Sequence, residues 1–463
     1  MPNKTNGQVT HEQSKRRWTV MIFMVAERLP EWADLSELAG ETINHISCID
    51  GLQQQQDWLR IRIQLHTSDG IERWTSAAPD PNSSTSRPEE VRARCPGLRM
   101  LDEAELKENE KDTDLNNGRA LEAFLSWALR TAGHDSADNS MLVMWGHAYP
   151  FGIGFEETGT GVDALDFAEL STVLDRIQVE VKNKFQYMDA TLDILGFDAC
   201  DLATIELAQH FSPYAKYLVA SQIPIPLPGW PYAEILKQLI ASYGEGRVPM
   251  TTTDFGSYIV RTYCSSYQGK DNAVSLSLLS LDRAVPIFDQ TQALARRLLL
   301  ALDGDTAETD RVARLFDLSQ TYRDKPFVDA ADLCENLVRF SNDSSVRHAA
   351  GELGNLLTVP VHTDTTAWKD QPPPFILECG RNAHDTVKLH GVSLYAPNIA
   401  VDSHDWRKAS VWYDKFNGRD TKANFNARET NGKDNKGDRK AKGNGSDRNW
   451  WGALVEALSQ PGS

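Results

Sequence analysis

A chain of 463 residues is long enough for about three domains, or for one large α/β domain with additions. Its 41% hydrophobic content and 12 Trp exclude global disorder, because there is ample material to bury. With 65 Asp+Glu against 48 Lys+Arg the formal net charge is −17, which argues against nucleic acid or an anionic membrane surface as a partner and favours a cationic one. Cysteines at 48, 95, 200, 264, 334 and 379 contain no C-x-x-C pair, which reads as a mostly reduced, cytoplasmic chain. No run of about 18 apolar residues is present to span a membrane.

Residues 1–17 read as a polar, flexible arm. Lys15-Arg16-Arg17 before the apolar run Trp18–Ala26 has the outline of a signal peptide, but the run is short, contains Thr19 and is followed at once by Glu27-Arg28. A first core strand at Trp18–Val25 fits better. In chain order there follow a helix at 31–45, a strand at 58–66, a helix at 117–130 and a strand at 141–146. A helix at 166–182, a strand at 192–197, a helix at 202–211 and a strand at 217–221 come next. This alternation predicts βαβ units and a mainly parallel sheet covered on both faces. Further strands are expected at 272–282 and 390–396, with helices near 283–302, 329–340 and 343–357 between them. Residues 417–449 are dense in Asn, Gly, Lys and Asp and read as a disordered insertion. Trp450–Leu458 reads as a terminal helix that docks on the body, with a tail to 463.

Two strand ends stand out. One strand ends in His147 (MLVMWGH) and another in Asp198-Ala199-Cys200 (LDILGFDAC). In open parallel sheets functional groups gather beyond the carboxyl ends of the strands. Cys200 is expected to open a helix, whose N-terminus favours thiolate. A histidine in the same crevice can hold that thiolate and protonate a leaving amine, while the backbone N–H groups of Ala148 and Cys200 cradle an oxyanion. Each residue alone has a plainer reading: a lone Cys is usually a small buried hydrophobe, and a strand-end His a satisfied polar group.

W-G-H at 145–147, G-F-D-A-C at 196–200, L-V-A-S at 218–221 and P-G-W-P-Y at 228–232 together resemble the clostripain family of cysteine peptidases, from the first strand to G-V-S-L-Y at 391–395. The resemblance implies a caspase-like α/β/α sandwich with additional C-terminal helices. Residues 18–268 would form the catalytic core, and 269–416 would complete the sheet. It implies a His147–Cys200 dyad cleaving after Arg or Lys, with Asp198 in the pocket for that side chain, where a carboxylate suits a guanidinium. Ser221, Gln222 and Trp230 are the remaining candidates for substrate contact. A protein or peptide with a basic residue before the cut is the expected partner. Calcium dependence in some relatives leaves that ion open, although no D-x-[DN]-x-[DN]-G loop is present.

The chain departs from the family pattern in two places. Ala148 stands where Gly is usual after the histidine, and the neutral Gln222–Leu227 stands where relatives commonly carry acids. These departures motivate an alternative, a catalytically weak or inactive member acting as an interaction module. A small-molecule amidase is a third reading. Relatives that mature by cutting between the His and Cys strands imply self-cleavage near Lys182 and Lys184. The stretch 417–449 is a second such region, with nine Lys+Arg against five Asp+Glu, a net +4 that leaves −21 on the rest of the chain.

Overall fold

The computed structural model describes residues 17–26, 35–55, 57–67, 70–76, 95, 97–112, 115, 118–132, 139–149, 152–158, 161–185, 192–244, 247–303, 305–319, 327–357, 374–382 and 389–396, together with Leu454 and Leu458. The expected arm up to residue 16 and the insertion 417–449 lie outside the described residues.

Strand β1 (Trp18–Val25) is followed by helix α1 (Ser36–Ser47) and strand β2 (Leu59–Thr67). Strands β3 (Gly70–Thr75) and β4 (Arg99–Met100) extend this side antiparallel, and α2 (Arg119–Ala132) leads to β5 (Asn139–Gly146). A small sheet of β6 (Ala148–Tyr149), β7 (Gly152–Thr158) and β8 (Gly161–Asp166) precedes α3 (Phe167–Phe185). Next come β9 (Leu192–Asp198), α4 (Ile205–Phe211), β10 (Ala215–Ala220), α5 (Tyr232–Ser242) and α6 (Thr252–Ser266). Strand β11 (Ser275–Ser280), α7 (Ala284–Leu302), α8 (Thr306–Leu318), β12 (Phe327–Asp329), α9 (Ala330–Phe340) and α10 (Ser344–Leu356) follow. Strands β13 (Ile376–Arg381) and β14 (Ser393–Tyr395) complete the described elements.

Nine strands form one sheet in the order β13-β11-β10-β9-β5-β1-β2-β3-β4. The five central strands, β10-β9-β5-β1-β2, are mutually parallel, and each strand outside them pairs antiparallel with its neighbour. A parallel strand covered on both faces must be apolar on both, and β1 shows it. Met21, Phe23 and Val25 enter one core with α2, α3, α4 and α7, whereas Val20, Ile22 and Met24 enter the other with α1, α5 and α6. Each such side chain contributes about 1.5–3 kcal/mol on burial. The architecture is the expected α/β/α sandwich.

Three local expectations differ from the structure. The late strand expected at 390–396 is observed only as β14, which pairs with β12 outside the main sheet. The sheet edge is instead β13, whose short run after three prolines gave no alternation to read. Cys48 and Cys95 form a disulfide with Cα atoms 4.9 Å apart, so the chain is not wholly reduced. Sequence spacing could not pair cysteines 47 residues apart, but the fold brings the end of α1 against Cys95, where the Ser47 hydroxyl donates to the Cys95 carbonyl at 2.6 Å.

At the far end of the chain, Leu454 and Leu458 stand one helical turn apart and are buried in the core that holds α2, α3, α4 and α7. No helix among the described residues is long and apolar enough to cross a membrane.

Candidate functional site

Register places the two candidate reacting groups. Strands β5 and β9 are adjacent and parallel, and Trp145 pairs with Asp198 as their last rung. His147 and Cys200 each lie two residues beyond that rung, past the ends of two strands that neighbour at about 4.8 Å. Both are half-buried. Gly146 is required where it stands. Its φ of +146° is rare for L side chains, and a Cβ there would sit 2.7 Å from the Val25 carbonyl oxygen. The glycine of W-G-H thus lets the chain leave β5 beside β1 and present His147.

Cys200 does not open a helix, as the sequence leads one to expect. It sits in a turn, and α4 begins only at Ile205, capped by the Thr204 hydroxyl, which accepts the Leu207 N–H at 3.1 Å. Asp201 adopts φ +62°, a left-handed conformation that stops a helix from starting at Leu202. Cys200 is thus not part of the first turn of α4, where the sequence places it. A different donor is present, since the Ile225 N–H points at Cys200 Sγ at 3.4 Å. Ala148, the other expected oxyanion donor, starts β6 opposite Ile153.

Asp198 is 4% exposed and points to the face carrying α5 and α6. Its Oδ2 accepts the Trp230 N–H at 3.0 Å and the Tyr232 hydroxyl at 2.9 Å, while Oδ1 has no partner among the described residues. Burial pushes its pKa from 3.8 up to about 7, against those two hydrogen bonds. The turn above it contains a cis Leu227–Pro228 bond and Gly229 at φ +82°. A Cβ on Gly229 would meet both carboxylate oxygens at 2.8–2.9 Å, so glycine allows the backbone to lie directly on the carboxylate. The Tyr267 hydroxyl braces the same turn, donating to the Pro226 carbonyl at 2.8 Å and accepting the Gly229 N–H at 3.2 Å.

The other expected substrate contacts turn inward. Ser221 is 0% exposed, and its hydroxyl donates to the Ile223 carbonyl at 2.7 Å. Gln222 is 1% exposed. Its Nε2 donates to Asp329 Oδ2 at 3.0 Å and to Ser393 Oγ at 3.2 Å, and its Oε1 accepts the Gly391 N–H at 2.6 Å. Neither side chain is available to a substrate, which corrects their expected role; their neighbours in the interior use up their polar atoms. Trp230 is 3% exposed and packs over Gly196, so its ring serves the core under Asp198. The Ile225 donor was not anticipated, although the run Pro224-Ile225-Pro226 carries a signal for it: prolines have no N–H, so Ile225 is the one donor of the three.

No group of three or more His, Cys, Asp or Glu arranged to hold a metal ion gathers among the described residues. The described residues offer no fit for calcium.

The layered, mostly parallel sheet with the site at its carboxyl edge defines the caspase-like class of α/β folds. The chain matches the family model of the clostripain family, Peptidase C11, over residues 91–368. It belongs to that family and is a cysteine protease. No curated protein matches it. Among solved structures it is similar to an inactive zymogen C11 protease from Parabacteroides distasonis, at 14% identity and a TM-score of 0.52, over 86% of this chain and 96% of that one. It is likewise similar to a secreted C11 cysteine protease from Bacteroides thetaiotaomicron in complex with an irreversible peptide inhibitor, at 15% identity and a TM-score of 0.51, over 87% of this chain and 99% of that one. At these identities the likeness establishes the shared fold.

Proposed function

We propose that this protease cuts peptide bonds after Lys or Arg, with Cys200 as nucleophile and His147 as its acid–base partner. The observation that carries the reading is the Trp145–Asp198 rung, from which both residues stand two positions on. The Cys200 thiolate attacks the scissile carbonyl carbon, and the carbonyl electrons move onto oxygen, where the N–H groups of Ala148 and Cys200 receive them. Collapse expels the amine, which takes a proton from His147, and leaves a thioester. Water, giving a proton back to His147, hydrolyses the thioester and releases the thiolate.

Asp198 is the group proposed to select the basic side chain. Its Oδ1 is buried without a partner among the described residues, and an incoming cation would supply one and favour the ionised form. The acidic balance of the chain supports attraction of basic segments. Fluorogenic peptides ending in Lys, Arg or an uncharged residue test this. Turnover of the basic peptides alone, lost in Cys200→Ala and in His147→Ala, is the expected result. Retained turnover in either variant, or equal turnover of uncharged peptides, contradicts it.

Two further points belong to this proposal. The solved zymogen relative supports maturation by cleavage, and the linker between β5 and β9 holds Lys182 and Lys184. Both lie in the last turn of α3, which must unwind to enter an active site in extended form. The region 417–449 is the second proposed cut. For the compartment, the cytoplasmic reading rested on reduced cysteines, whereas the Cys48–Cys95 disulfide favours an oxidising one. Mass measurement after thiol labelling of protein purified under native conditions decides it. Cys48 and Cys95 unlabelled until a reductant is added support the oxidising compartment.

A further inference from the structure

The polar groups around Cys200 leave one question open. The helix expected to open at Cys200 begins at Ile205, so Cys200 is not its first residue. From the structure we propose that the main-chain N–H of Ile225 is the donor that holds the Cys200 thiolate, and that Gln222 is the positioning residue that aims it. The inference rests on Cys200 being the nucleophile.

The donor is isolated by sequence. Pro224 and Pro226 flank Ile225 and carry no N–H, and both restrict the backbone near φ −65°. The N–H therefore meets Cys200 Sγ at 3.4 Å from a stiff segment. A hydrogen bond to an ionised acceptor is about twice as strong as one between neutral groups, so this contact favours thiolate over thiol. Sulfur keeps further lone pairs for attack on a carbonyl.

The aim of the segment comes from a buried clamp. Gln222 lies three residues before Ile225, and its amide is held on both sides, by Asp329 and Ser393 at Nε2 and by the Gly391 N–H at Oε1. These partners fix which end of the amide is oxygen. Its own N–H donates to Ser275 Oγ at 3.1 Å. Asp329 is fully engaged in turn. Its Oδ2 also accepts the His390 N–H at 2.7 Å, and its Oδ1 accepts the Asp332 N–H at 2.8 Å beside His390 Nδ1 at 3.0 Å. Nearer the thiol, the Ile223 carbonyl accepts the Asp201 N–H at 3.4 Å, and the Ser221 carbonyl accepts the Ala203 N–H at 2.8 Å. The segment 221–225 is thus fastened at one end to β11, β12 and β14 and along its length to the turn bearing Cys200. A displaced Gln222 moves the donor off the sulfur.

The test reads the thiol directly and needs no turnover. Alkylation of Cys200 by iodoacetamide is followed against pH, by mass of the Cys200 peptide, in a His147→Ala background that removes the imidazole. The midpoint is expected below the free-cysteine value of about 8.5. Ile225→Ala, which keeps the N–H, is expected to leave it in place. Ile225→Pro, which deletes the N–H, and Gln222→Ala are each expected to raise it by about one pH unit, with roughly tenfold slower alkylation at pH 7. The double variant is expected to show no further rise, since both changes remove one interaction. Folding is checked by near-ultraviolet circular dichroism. A folded Ile225→Pro or Gln222→Ala protein with an unmoved midpoint overturns the proposal. So does a His147→Ala midpoint at or above about 8.5, which needs neither variant to fold. Loss of peptide turnover with the expected midpoints leaves the proposal standing and counts against the assigned substrate instead.

Discussion

Replacing Asp198 by Asn is expected to raise stability at alkaline pH and to change it little at acidic pH. Burial raises this carboxyl from 3.8 to about 7 in the folded protein, even with the Trp230 N–H and the Tyr232 hydroxyl on Oδ2. A raised folded pKa means that the native state keeps a proton the unfolded chain has released. The stability it contributes is therefore full below about pH 4 and is lost as pH rises through about 7. At about 1.4 kcal/mol for each tenfold change in proton affinity, the interval from 3.8 to about 7 costs about 4 kcal/mol by pH 8. Asn has no ionisation to suppress, and its amide oxygen can accept from Trp230 and Tyr232. Its NH2 then stands where the O–H of the protonated acid stands, each without a partner among the described residues, so the two side chains differ little at pH 4. The net expectation is a gain of about 4 kcal/mol at pH 8 and little change at pH 4. Urea unfolding of Asp198→Asn against Asp198, both in a Cys200→Ala background that prevents self-digestion, measures it. An identical stability difference at the two pH values would refute the reasoning. Glu206, also buried and raised to about 7, gives the unsubstituted protein a second decline over the same interval.

Tyr232→Phe removes a donor that lowers the Asp198 pKa, so the rise of kcat/KM for a Lys peptide through about pH 7 should move to higher pH; an unmoved profile counts against Asp198 as the selecting group. Gly146→Ala forces a side chain onto the Val25 carbonyl at a left-handed φ, and is expected to cost about 1–3 kcal/mol in thermal or urea unfolding and to lower peptide turnover at least tenfold, through displacement of His147. Cys48→Ser with Cys95→Ser opens a loop of 47 residues and is expected to cost about 4 kcal/mol by the chain-entropy relation, read as a lower urea midpoint under non-reducing conditions; equal midpoints with and without the disulfide contradict it.

Strands β1, β5 and β9 are legible in the sequence because strands buried on both faces must be continuous apolar runs, and WTVMIFMV and MLVMWG cannot be much else. Histidine and cysteine at the ends of two such runs follow from the same pattern. The start of α4 is less legible, because LATIELA is helix-compatible from Leu202, and only the left-handed Asp201 and the Thr204 cap delay it to Ile205. Gln222 reads as a polar residue near a cleft, yet its three side-chain partners lie 107 to 171 positions further along the chain.

The sequence by itself therefore determined the layered α/β body, its family and the two strand ends that carry His147 and Cys200, since periodicity and the succession of elements along the chain depend on residues close together in the chain. The tertiary structure alone decided which strands are neighbours, and hence that Trp145 meets Asp198. It also decided that Cys48 meets Cys95, that Asp198 is buried with one oxygen unmet among the described residues, and that Ile225 meets the Cys200 sulfur. Each of these is a contact between distant segments, and its existence depends on how the sheet and helices pack together rather than on the identity of any neighbouring residue.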